Sequence, residues 1–421
     1  MLPGCVYGIT RDIDIIKKRI YYESSATKTD RKSRDVLMVT NLSRNVLKGV
    51  PQVKFYSGGP ACPEDIPFPS VMRALMEYFH EEDFGCRTCR TAQPGCEIPC
   101  SYSFFIGVSG IASYINWKPG WEMDNVEIMY MSNDPAAPFE RAFKAAGYSY
   151  DYYGEVRNRD LFKQKIVESI DKNRPVLAFG PIGPPESALI TGYDEGVDVL
   201  IGWSFFQGFP DFFPEAEFEP TGEFRKRDWF NYLPEFAFFT INEKLEHPPL
   251  KETCYKALEW MVQVARTSVT FGDRYNGLAA YDAWVKQLLR DEDFPDDHTV
   301  LNQRYEIHNN LVGFVAEARW YGSQFLIGMT TGGDNIIHQD SIEDLYHAAA
   351  LYAGDHNLMW ELWDLVGGNN NPDAWIKFAD PAIRRKMVPI IQDARQKDEK
   401  AVEHFERILQ KLLERVVDHT K

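Results

Sequence analysis

At 421 residues the chain is longer than one ordinary domain, and two domains is the natural expectation. Its 44% hydrophobic and 14% aromatic content indicates large cores, while 26% charged residues leave little room for long disordered stretches. A formal charge of -16 and a sequence pI near 5.1 argue against a nucleic-acid or anionic-membrane partner, since both need a dense cationic footprint. The first fifty residues differ, with ten Lys or Arg against five Asp or Glu. Their basic residues are scattered and carry no interleaved aromatic stripe, so they read as a solvated N-terminal extension over 1-50.

No secretory leader is expected: Met1 to Gly8 lacks a basic start, and Arg11, Asp12 and Asp14 interrupt any apolar core. Seven cysteines, odd in number and unevenly spread, fit reduced thiols and a cytoplasmic location better than a secreted disulfide frame.

In chain order, PFPSVMRALMEYF (67 to 79) predicts an amphipathic helix, with Pro67 and Ser70 at its start and Val71, Leu75 and Tyr78 on one face. SYSFFIGVSGIASYINW (101 to 117) is just too short to span a membrane and reads as a buried core helix. A helix over 137 to 147 ends at Gly147, and one over 159 to 173 aligns Phe162, Ile166 and Ile170. Four short β-branched and aromatic runs follow: PVLAF, SALITGY, DVLIGW and EFAFFTI, the second and third joined by Asp194-Glu195-Gly196. Helices followed by an antiparallel sheet predict an α+β fold.

The chain changes character near residue 250, and the HPP at 247 to 249 is the natural linker. Domains are therefore expected over 51-246 and 250-421. Helical periods cover 251 to 267, 276 to 291, 302 to 329, 341 to 366 and 380 to 417, which makes the C-terminal domain all-α. Val402, Phe405, Leu409, Leu412 and Val416 predict a packing seam, and Trp360 and Trp363 read the same way.

The motifs MRALMEYF, FIGVSG, RPVLAFG, ALITGYD and DVLIGW, in that order, resemble the butirosin biosynthesis protein H N-terminal domain family over roughly residues 50-245. That family is related in fold to the bacteriocin-processing cysteine peptidases, so the resemblance implies a papain-like fold. It also implies a cysteine at the start of the first helix, where the positive helix terminus stabilises thiolate. A histidine opening the strand that ends in GYD, and an Asp or Asn on the next strand, would complete the relay. This sequence departs from the pattern at all three places. Counting along the motifs, the thiol position falls at Pro67, with Cys62 the nearest cysteine; the histidine position falls on Glu186; the third falls among Gly202, Trp203 and Ser204.

The leading expectation is thus a catalytically degenerate papain-like protein that binds a small polar or amine-bearing molecule in the cleft between its domains. Glu186 is the acceptor, and Ser109, Tyr193, Trp203, Arg274 and Tyr275 are further ligand contacts. The enzyme alternative is acyl transfer or amide hydrolysis, with Cys62 or Ser70 as nucleophile and Glu186, desolvated by Pro184 and Pro185, as base. A third reading is a scaffold that self-associates into homo-oligomers through its 58 aromatic residues.

Cys86, Cys89, Cys96 and Cys100 in GCRTCRTAQPGCEIPC form a candidate structural zinc site, with no other cofactor expected; reduced thiols are the alternative. None of the nine histidines forms a metal-binding spacing. His308 could face the other domain with Glu317 and Arg319, a set that ion pairing explains as well as catalysis does. In FGDRYNGLAAYDAW, Gly272, Asp273 and Asn276 are expected to cap a helix, with Arg274 and Tyr275 in the same turn. Neither GxGxxG nor a phosphate-binding loop is present.

Overall fold

The computed structural model describes residues 44–53, 55, 63–81, 101–331, 336–368 and 370–419. Helices and antiparallel sheets are both present, and the C-terminal region is helical, as an α+β reading expects. The chain divides into two compact units: Met1–Phe84 with Ala146–His247, and Gly85–Ala145 with Pro248–Lys421.

The first unit is built on an eight-stranded sheet. Its strands are β1 (Arg44–Val46), β2 (Tyr148–Tyr153), β3 (Val176–Phe179), β4 (Ser187–Asp194), β5 (Val199–Trp203), β6 (Glu217–Phe218), β7 (Phe224–Arg227) and β8 (Ala237–Lys244). The order is β2-β8-β3-β4-β5-β7-β6, with β1 pairing β4, and every pair is antiparallel. Seven consecutive residues of β4 are buried, which an antiparallel strand shows only when both its faces are covered. Helix α1 (Pro67–Tyr78) packs on β4, and α2 (Arg159–Asp171) packs on the neighbouring strands. Asn158 caps α2 by accepting from the Leu161 amide, and Phe162, Ile166 and Ile170 form its buried stripe, as their spacing predicts. A single turn, α3 (Trp229–Tyr232), precedes β8.

The second unit is dominated by α4 (Leu250–Arg266), α5 (Leu278–Leu288), α6 (His298–Thr331), α7 (Ile342–Val366), α8 (Pro372–Ala379) and α9 (Pro381–His419). A small three-stranded sheet joins Asn116–Trp117, Arg274–Asn276 and Val269–Thr270. The expected break at the HPP stretch coincides with a unit boundary, but residues 101–145 belong with the C-terminal helices rather than with the sheet. The reason is packing: Phe104 meets Phe325 edge-to-face, Trp117 stacks on Trp284, and the Trp260 indole donates to the Ser109 carbonyl at 2.9 Å.

The helix expected over 101 to 117 covers only Tyr102–Val108. Gly110 turns the chain with φ at 91°, and a Cβ there would lie 2.4 Å from the Trp260 indole nitrogen, so the chain leaves the helix and runs extended from Tyr114. The helix expected over 380 to 417 is α9, and a short helix the sequence reading did not include, α8, precedes it, capped by Asn371 and begun by Pro372. One further expectation is corrected. The seam along α9 is carried by Val402, Phe405 and Ile408, whereas Val416 is exposed and Trp360 on α7 is at the surface.

The helices of the second unit close around a buried polar knot. Arg319 of α6 is fully buried; its Nε and Nη2 donate to Asp398 of α9 at 2.9 and 2.6 Å, and its Nη1 to the Ala112 carbonyl at 2.8 Å. The Tyr281 hydroxyl donates to Asp398 at 2.8 Å and lies 3.1 Å from Asp355 of α7. Burial, and then the Asp398 carboxylate beside it, push the Asp355 carboxyl well above the usual carboxylate range. Among the described residues no helix is long and apolar enough to cross a membrane.

Candidate functional site

The family resemblance would set a thiol at the start of α1. Pro67 occupies the first helical position and Ile66 the cap, with no side-chain hydrogen bond closing the terminus. Ser70 is not the cap expected from its position; it lies inside the helix, fully buried, and its hydroxyl donates to Glu64 at 2.6 Å. Arg73 donates from Nε to the same carboxylate at 2.8 Å, from Nη1 to Glu77 at 2.8 Å and from Nη2 to the Gln52 carbonyl at 2.9 Å. Ser70, Glu64 and Arg73 thus clamp the helix to the segment before it. Burial denies the Ser70 hydroxyl to a solute, and its carboxylate partner is Glu64. Cys62 lies outside the described residues.

Among the described residues of this unit there is no cysteine, and the histidines are His80 and His247. His80 follows the opposite end of α1 with φ at 57°, one full helix length of about 18 Å from Pro67. His247 lies close to Gly147, beyond the end of β8.

Glu186 ends the connection between β3 and β4. Its carbonyl accepts from the Gly180 amide at 3.1 Å, and its own amide donates to the Pro184 carbonyl at 2.7 Å. Gly183, with φ at 77°, donates its N–H to the Tyr232 hydroxyl at 3.1 Å and packs on Phe206, whose Cβ a side chain there would meet at 2.7 Å. That turn delivers Glu186 half-buried one residue before β4.

The expected ligand contacts divide between the units. Tyr193 and Trp203 sit on β4 and β5, both buried. The Tyr193 hydroxyl donates to Asp171 at 3.2 Å, and burial followed by that carboxylate pushes it up to about 12. The Trp203 indole N–H finds no partner among the described residues.

In the second unit, the Ser109 hydroxyl donates back to the Phe105 carbonyl at 2.5 Å. Arg274 lies on a strand rather than in a capping turn, 1% exposed, ion-paired with Asp124 and stacked over Tyr130 at 3.6 Å. It is therefore a core arginine with no face for a ligand. Asn276 likewise caps nothing; its side-chain amide donates to the Val264 and Thr267 carbonyls, and Gly277 precedes α5. Tyr275, next to Arg274, is 40% exposed.

His308 does not join Glu317 and Arg319 in a polar cluster. It is buried between Trp284 and Phe378, with ring centroids 5.3 and 4.6 Å away, and neither ring nitrogen has a partner among the described residues. Burial lowers its pKa to about 3. Cys86, Cys89, Cys96 and Cys100 lie outside the described residues, among which no group of three or more potential metal ligands occurs.

What sequence reasoning missed is a groove of about 580 Å³ in the first unit, between α2 and the β2–β8 pair. Lys165, Glu168 and Ser169 form one polar face of α2, at the i, i+3 and i+4 spacing of a helix, and Lys172 continues it at the C-cap. Asp151 and Tyr153 project from β2, alternate residues of a strand, and Thr240 and Asn242 from β8. Asn242 donates to Asp151 at 3.0 Å, Lys165 pairs with Glu168 at 2.6 Å, and Arg174 donates to the Ile241 carbonyl at 3.2 Å. Burial, then Asp151, pushes the Tyr153 hydroxyl up to about 12, so it stays a neutral donor. Three cations (Lys165, Lys172, Arg174) and three anions (Asp151, Glu168, Glu243) line the groove. Such a lining suits a polar solute carrying charge of both signs, or an amine with hydroxyl groups. The signal lay in the polar face of 159 to 171, which sequence reading passed over in favour of the apolar one.

Compared with protein-family models and with curated proteins, the chain matches none.

Proposed function

We propose that the first unit is a papain-like fold with degenerate thiol machinery, which binds a small, polar, amine-bearing molecule in the groove between α2 and the β2–β8 pair. The observation that carries this reading is the groove's lining of three cations and three anions around hydroxyl and amide groups. The α1 helix packed on an antiparallel sheet, and the family resemblance, support the fold. The burial of Ser70 and its bond to Glu64 weigh against acyl transfer on that hydroxyl.

The test is a calorimetric titration of the full chain with 4-aminobutyrate, glucosamine and spermidine. At least one should bind saturably, and Asp151→Asn or Lys172→Glu should weaken it about tenfold, the loss of roughly one charge-assisted hydrogen bond. Silence from all three probes, or binding indifferent to both substitutions, would reject the reading. Fast iodoacetamide labelling of Cys62 at pH 6 would instead favour the acyl-transfer enzyme.

A further inference from the structure

The stretch WSFFQGFPDFFPEAEF (203 to 218) carries more exposed aromatic surface than folding of the first unit requires. Two successive turns, closed by the Phe209 amide on the Phe206 carbonyl at 3.1 Å and the Phe212 amide on the Phe209 carbonyl at 3.0 Å, bring Phe206, Phe209 and Phe212 together. Their ring centroids lie 5.2 to 6.4 Å apart, and Phe55 joins at 6.2 Å from Phe209. Yet Phe209, Phe212 and Phe218 remain 41 to 45% exposed. Scattered surface phenylalanines need no explanation, but a contiguous cluster on one loop marks a recognition surface.

Hydrogen bonds tether the loop at its tip and at its base. The Tyr232 hydroxyl, which receives the Gly183 amide, donates to the Phe212 carbonyl at 3.1 Å, tying the loop to the β3–β4 turn. Gln207 fixes its base by donating to the Gly222 carbonyl at 2.9 Å and accepting from the Ser204 amide at 3.0 Å. A tethered aromatic surface loses little entropy on binding.

Charge names the partner's chemistry. Asp211, between the clustered rings in sequence, and Glu215 are both exposed and make no ion pair among the described residues. Lys226 is already seated over the Tyr232 ring at 3.8 Å and near Phe213 at 5.6 Å. It displays the chemistry that exposed ring faces offer to a cation. An anionic rim on a chain of formal charge -16 repels acidic partners and steers basic ones.

We propose that this phenylalanine surface docks a basic peptide segment whose large apolar side chains seat on Phe206, Phe209 and Phe212 and whose Lys or Arg side chains reach Asp211 and Glu215. Its occupant is a polypeptide, separate from the small polar solute of the α2 groove.

Fluorescence anisotropy of the full chain with a fluorescein-labelled peptide of repeating leucine–lysine pairs, and with its leucine–glutamate counterpart, tests the assignment. The lysine peptide should bind saturably and at least tenfold tighter than the glutamate peptide. Phe209→Ser with Phe212→Ser should weaken it tenfold or more with an unchanged thermal midpoint. Asp211→Lys with Glu215→Lys, which leaves the rings in place, should reverse the preference between the two peptides. Equal binding of both peptides, or affinity unmoved by either double variant, overturns the proposal. So does a concentration-dependent dimer in sedimentation that Phe209→Ser abolishes, because a second copy would then be the occupant. Partition onto phosphatidylcholine vesicles that the same substitution abolishes would assign the surface to lipid and overturn it equally.

Discussion

Arg319 and Asp398 meet two-pronged and buried, the arginine completely, one on α6 and the other on α9, 79 residues apart in sequence. Desolvating both groups is costly, and the pair is held by the Ala112 carbonyl and the Tyr281 hydroxyl that complete its hydrogen bonding. Removing one partner leaves the other charged and buried. Asp398→Ala should therefore cost on the order of 3–5 kcal/mol of stability, read from urea denaturation of the full chain. A loss below about 1 kcal/mol would show that the knot contributes little.

Asp355 gives the same knot a pH dependence. Its folded pKa is raised above the unfolded value of about 3.9, so the folded state holds the proton more tightly. The associated stability is fully present below that unfolded value and is lost as pH rises toward the folded one. Asp355→Asn, which keeps the shape without the titration, should flatten the decline in stability above about pH 4. An unchanged pH profile in the variant would remove Asp355 as its source.

His308 acts in the opposite sense. Its folded pKa of about 3 lies below the ordinary 6.5, so the unfolded chain takes up a proton that the buried ring refuses. Stability present above about pH 6.5 is then lost as pH falls toward 3, by up to roughly 4 kcal/mol. His308→Leu should flatten that acid limb and, by removing two unpartnered ring nitrogens, leave neutral-pH stability equal or higher. Denaturant midpoints between pH 4 and 7 decide it.

Cys254 on α4 is buried, and burial pushes its thiol up to about 12. It should resist iodoacetamide at pH 8 in the folded chain and react fully in guanidinium, as mass spectrometry of the alkylated peptide would report. Labelling at the rate of a free thiol under native conditions would mean that the second unit opens far more readily than its packing implies.

Much of the sheet was legible because its strands announce themselves: β3, β4, β5 and β8 are each a β-branched or aromatic run bounded by turn residues, and the observed strands overlap those runs, with β8 starting at Ala237 and continuing to Lys244. The helix over 101 to 117 was misread because composition there is apolar throughout, and only the tertiary partner Trp260 shows why Gly110 must turn. Arg274 looked available because its partner, Asp124, is 150 residues away and no local pattern links them. Of the candidate site, Glu186 stands at the mouth of β4 as its spacing indicated. The groove along α2 went unread because its strand wall pairs β2 with β8, about ninety positions apart, and because it lies on the polar sides of elements judged by their apolar ones.

The assignment of residues 101–145 to the helical unit has a consequence for biosynthesis. Strand β1 finds its partner β4 only after about 150 further residues have been made, and the segment around Trp117 waits for Trp284 to emerge before it can be covered. A nascent chain halted at His247 would expose Trp117 and Trp121 to the ribosome's surroundings. The linker-like HPP is thus no place to cut: expression of either half alone should yield chaperone-bound or aggregated material, and the gene must be translated whole before half of the molecule can mature.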